Sequence, residues 1–123
     1  MKKILILIFT FISYSSFAVE KSSTFTLEKF NNAQSEGKIV VINSWNKTCS
    51  TCKKQVKILN EAEEEFTNIL FLSFEQQEDI EIAKFLSIEY WTTIVIYKNN
   101  KEVYRSIGQT DKSKIYSTIS NLS

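Results

Sequence analysis

Apolar positions along this chain fall in blocks, and the spacing inside each block differs. Residues 39–42, Ile-Val-Val-Ile, form an unbroken apolar run, and so do 69–72, which Ser73 and Phe74 extend. Strands buried on both faces have this pattern, because both rows of side chains meet a packed neighbour. From 49 to 66 apolar residues return every three or four positions, with Val56, Leu59, Ala62 and Phe66 as the inward stripe of a helix. An earlier helix is predicted over 27–33, with Thr26 suited to its N-cap and Gly37 to its end. Residues 80–86 predict a short helix, and 113–122 close the chain as another. Strands at 93–97 and 102–107 flank the turn 98–101, where Asn99 and Asn100 fit because asparagine tolerates positive φ. The order α-β-α-β-α-β-β-α predicts an α/β fold. A central mixed β-sheet carries helices on both faces, and its last two strands form an antiparallel hairpin.

Chemistry enters at one tetrapeptide. Cys49-Ser50-Thr51-Cys52 follows the β-like run 38–45 and opens the long helix, and it contains both cysteines of the chain. A strand that empties into C-x-x-C at a helix start presents a reactive dithiol. One thiolate attacks a partner disulfide, and the second thiol resolves the mixed disulfide. At the helix start, unpaired N–H groups and the helix dipole favour a thiolate on Cys49. Lys47, Lys53 and Lys54 add positive potential, and Ser50 and Thr51 offer hydroxyl or amide donors. Cys52, one turn along and more buried, is the expected resolving thiol. The alternatives are an inert structural disulfide and half of a metal site.

The N-terminus bears on compartment. Lys2 and Lys3 precede an apolar run, 4–12, broken by Thr10, and small and polar residues lead to Ser16-Phe17-Ala18. A positive start, an apolar middle and a small-x-small end make a signal peptide, 1–18, cleaved after Ala18. The mature chain, 19–123, is then one small domain in a periplasmic or secreted, oxidising location. The apolar run is too short for a bilayer-spanning helix, so no stable membrane span is expected after signal removal. Losing Lys2 and Lys3 takes the formal charge from +1 to −1. Such a balance gives no support for binding nucleic acid or a membrane surface. The chain has no histidine, which excludes histidine-based acid–base catalysis and histidine metal ligation.

These residues together resemble the thioredoxin-fold thiol–disulfide oxidoreductases. The resemblance covers the mature region. It rests on Val40 to Trp45 leading into Cys49-Ser50-Thr51-Cys52-Lys53, and on Thr93 to Asn99 with Glu102, Val103 and Gly108 behind. It implies a thioredoxin fold, exchange of disulfides with other exported proteins or with a membrane redox partner, no cofactor, no metal, and a monomer. Asn43 stands where cytoplasmic thioredoxins carry a buried aspartate, and is similar to the exported group that includes cytochrome-c-maturation reductases. The resemblance also implies that Trp45 packs over the dithiol, with a plain core role as the alternative. Trp91 and Thr92 would then shape the substrate groove, Thr92 standing where the family places a cis-proline. The chain has no proline. Lys57 replaces the helix proline, and Thr48 replaces the tryptophan before the first cysteine. A trans Trp91–Thr92 bond is expected, since a cis bond before a residue other than proline costs about 3–4 kcal/mol. Two further functions are compatible with these residues. One is a non-catalytic thioredoxin-fold binding module that keeps a static disulfide. The other is a dimer bridged by a metal ion or iron–sulfur cluster through four cysteine sulfurs.

Overall fold

A computed structural model describes residues 24–123. The predicted signal peptide lies outside the described residues. Eight elements follow in order: α1 (Leu27–Ser35), β1 (Val40–Trp45), α2 (Ser50–Glu65), β2 (Leu70–Glu75), α3 (Ile80–Phe85), β3 (Thr93–Lys98), β4 (Lys101–Ile107) and α4 (Lys112–Leu122). The order is the predicted one. The helix α1 starts where the sequence places its cap: Thr26 Oγ1 accepts the Lys29 N–H. Phe25, just before the cap, stacks on Phe30 with ring centroids 5.5 Å apart, which fixes the direction from which the chain enters the helix. Gly37, at φ +74°, ends the segment in a conformation that other residues resist.

The sheet order is β2-β1-β3-β4. β1 runs parallel to β2 and antiparallel to β3, and β3 and β4 form the hairpin. The sheet is therefore mixed, as expected. Asn99 and Asn100 hold the hairpin turn at φ +53° and +63°. Alternation along the strands divides the interior. Val40, Ile42, Leu72, Phe74 and Val95 face α1 and α3, where Phe30 and Ala83 meet them. Val41, Phe71, Ile94 and Ile96 face α2 and α4, against Leu59, Ala62, Ile115 and Ile119. Both faces of the sheet are covered, which explains why its central strands are apolar without interruption.

The inward stripe of α2 differs from the expected one. Its buried positions are Cys52, Gln55, Leu59 and Ala62. Leu59 and Ala62 stand as predicted and Phe66 packs half-buried against the same core, whereas the half-buried Val56 does not join it. The helix begins at Ser50, as the sequence places it, and its buried row runs back from Leu59 through Gln55 to Cys52. A polar residue takes the place that hydrophobicity alone would assign to Val56. Among the described residues, no helix is long and apolar enough to cross a membrane.

Candidate active site

The site lies where β1 hands the chain to α2. Cys49 is the N-cap of α2, and its Sγ accepts the backbone N–H of Cys52 at 3.1 Å. The two cysteines are joined as a disulfide, with Cα atoms 5.2 Å apart. Cys49 is half-buried, while Cys52 is 1% exposed. A partner can therefore reach one sulfur and not the other. The predicted asymmetry between an accessible and a sheltered cysteine is present in the geometry.

The loop into Cys49 is tied down by a polar chain. Glu75, buried at the end of β2, accepts from Asn46 Nδ2 at 2.7 Å and from the amides of Gln77 and Glu78. Asn46 Oδ1 in turn accepts the N–H and the hydroxyl of Thr48. Asn46 also supplies the carbonyl that takes the Cys49 N–H. A buried polar group costs little only when it is paired, so this chain holds the loop in one shape. Lys47 forms an ion pair with Glu78, which moderates its contribution to the local positive potential. Lys53 and Lys54 stand exposed on the first turns of α2. Ser50 and Thr51 are exposed as well, and the backbone donor that reaches Cys49 is the amide of Cys52.

Facing the disulfide is the loop before β3. The Trp91–Thr92 bond is trans, since the described residues contain no cis peptide. Thr92 nonetheless has φ +58°. A β-branched residue pays about 1–3 kcal/mol to sit there and stays only when its surroundings insist. They do. The Thr92 N–H donates to Ser44 O at 2.9 Å, and its carbonyl accepts from Gly108 N–H at 2.8 Å and from Gln55 Nε2 at 3.1 Å. Gln55 Nε2 also reaches Gln109 O at 2.9 Å. Ser44 Oγ donates to Tyr90 O and accepts the Thr93 N–H. The result turns the Thr92 hydroxyl towards both sulfurs, 3.1 Å from Cys52 Sγ and 3.5 Å from Cys49 Sγ.

The remaining expected residues take varied places. Trp45 is buried at the end of β1, opposite Glu75, with its Nε1 unpartnered among the described residues. Asn43 is 2% exposed, paired in register with Ser73 and Ile94, and its Nδ2 is likewise unpartnered. Trp91 is 38% exposed beside the disulfide-facing Thr92. Four positioning residues were missed by sequence reasoning: Ser44, Asn46, Gln55 and Glu75. The available signal was polarity at positions whose period demands burial.

Comparison with known proteins agrees with this arrangement. The Thioredoxin family model matches residues 21–121. A thioredoxin of Mycoplasma genitalium is 28% identical over 96 residues, which span 78% of this chain and 94% of the relative. Thioredoxin H2-1 of Oryza sativa subsp. japonica is 32% identical over 85 residues, 69% of this chain and 61% of the relative. Among solved structures, Fasciola hepatica thioredoxin superposes with a TM-score of 0.69 at 25% identity, covering 77% of this chain and 89% of its own.

Proposed function

The chain belongs to the thioredoxin family, a thiol–disulfide oxidoreductase with a Cys49–Cys52 pair, and on that premise we propose how its parts divide the work and where it acts. Cys49 is the attacking sulfur and Cys52 the resolving one. The observation that carries this assignment is the contrast between a half-buried Cys49 at the N-cap of α2 and a Cys52 that is 1% exposed. In the reducing direction, the Cys49 thiolate attacks one sulfur of a substrate disulfide. That S–S bond breaks, and the departing substrate thiolate takes up a proton. Cys52 then gives up its proton and attacks Cys49 Sγ. The Cys49–Cys52 bond forms as the second substrate thiolate leaves and is protonated. The protein loses two electrons and the substrate gains them; the oxidising direction is the reverse. Helix amides and the nearby Lys53 and Lys54 favour the thiolate that begins the cycle.

The proposed substrates are disulfides or dithiols of other exported proteins, and the proposed location is periplasmic or secreted. The support is the pattern of residues 1–18, with its two lysines, apolar run and Ser-Phe-Ala end. Trapping tests the roles. Cys52→Ser protein should accumulate mixed disulfides with its substrates through Cys49, and Cys49→Ser protein should accumulate none. Equal trapping by both variants would abolish the assignment, and trapping by Cys49→Ser alone would reverse it. Fractionation of cells that express the full chain tests location. A mature form starting at Val19 outside the cytoplasm supports export, and an uncut form confined to the cytoplasm refutes it.

A further inference from the structure

The Thr92 hydroxyl touches both sulfurs of the site, 3.1 Å from Cys52 Sγ and 3.5 Å from Cys49 Sγ. Thr92 is 5% exposed, and its own N–H and carbonyl are spent on Ser44, Gly108 and Gln55. The hydroxyl is thus left to the sulfurs. A hydroxyl donates one hydrogen while it accepts another, so it can serve two partners together. Among the described residues, no other buried side-chain group is so placed. The chain has no histidine, and Asn43 cannot titrate. Among the described residues, Glu75 is the only buried acid, and its carboxylate is engaged by Asn46, Gln77 and Glu78. The resolving thiol, 1% exposed, must nevertheless lose a proton.

Resting on the assignment of Cys52 as the resolving thiol, we propose that Thr92 is a catalytic residue whose hydroxyl relays the Cys52 proton. In the mixed disulfide, the Cys52 proton passes to Thr92 Oγ1 as the Cys52 sulfur bonds to Cys49 Sγ. The bond between Cys49 and the substrate sulfur breaks, and its electron pair goes to the departing sulfur. The hydrogen that Thr92 carried moves to that sulfur. Thr92 ends as it began, and the substrate leaves as a neutral thiol.

The test uses the whole mature protein and oxidised glutathione as the probe. The quantity measured is the rate at which glutathione leaves the Cys49 mixed disulfide, by rapid acid quench and mass analysis across pH. Thr92→Ser retains a hydroxyl, whereas Thr92→Ala and Thr92→Gly lack one. Glycine also relieves the positive φ, so a slow glycine variant cannot be blamed on backbone strain. The expectation is a loss of about a hundredfold in Thr92→Ala and Thr92→Gly near neutral pH, shrinking as pH rises and Cys52 ionises unaided. Thr92→Ser should stay within a few-fold of wild type. Hydroxyl-free variants that resolve as fast as wild type, with the same pH profile, would overturn the relay and leave the cysteine assignment intact. A wild-type protein that forms no mixed disulfide at Cys49 would overturn both.

Discussion

Gln55 tests whether a buried amide, rather than apolar packing, holds the Thr92 loop against the helix. Replacement by methionine keeps the length of the side chain and removes both hydrogen bonds from Nε2, at 3.1 Å to Thr92 O and 2.9 Å to Gln109 O. Each bond contributes about 1 kcal/mol net. Thr92 O keeps its Gly108 partner, and Gln109 is half-buried, so water can reach its carbonyl. Against this loss stands a gain. Gln55 Oε1 is buried without a partner among the described residues, and methionine abolishes that defect. The relief offsets about 1 kcal/mol. The balance favours the wild type by about 1 kcal/mol, before any return of the Thr92 backbone from its positive φ. For a domain of about this size the Tm should fall by about 4–8 °C. Thermal and urea unfolding of the oxidised protein measure it. A Gln55→Met protein as stable as wild type, or more so, would refute the reasoning, because the orphaned oxygen would then outweigh the two bonds.

Asn46→Ala should lower stability by about 1.5–3 kcal/mol, since it takes one charge-assisted bond from the buried Glu75 carboxylate and the cap from Thr48. An unchanged urea midpoint would show that the loop before Cys49 does not depend on this clamp. At the surface, Lys112 lies 2.9 Å from Glu61 and pulls its carboxyl below the ordinary carboxylate range. Lowering a carboxyl in the folded state adds stability above its unfolded-state value, and that stability is lost as pH falls through the folded value. Lys112→Gln should therefore narrow the difference between neutral and acid stability slightly, and high salt should erase the effect because both groups are exposed. Wild-type and variant stabilities that run parallel across the acid range would contradict it.

The element order was legible because each block of the sequence carries its own period and its own punctuation. Thr26 and Gly37 bracket α1, unbroken apolar runs mark β1 and β2, and the paired asparagines mark the hairpin. The dithiol was legible for the same reason, since C-x-x-C at a strand–helix junction is a local signal. The inward row of α2 was misjudged at one place. Hydrophobicity put Val56 inside, while the helix turned Gln55 inward to serve carbonyls more than thirty positions away in the chain.

Local sequence therefore carried the elements, their order and the two sulfurs, because spacing, capping and turn chemistry act between residues a few positions apart. It could not carry the surroundings of those sulfurs. Thr92 meets Cys52 across forty positions, Asn46 meets Glu75 across twenty-nine, and Ser44 meets the loop of Tyr90 across forty-six. Such contacts exist only after β1, β2 and β3 are laid side by side. The positive φ of Thr92 belongs to the same class, because no neighbour in sequence favours it and three partners from elsewhere in the fold impose it.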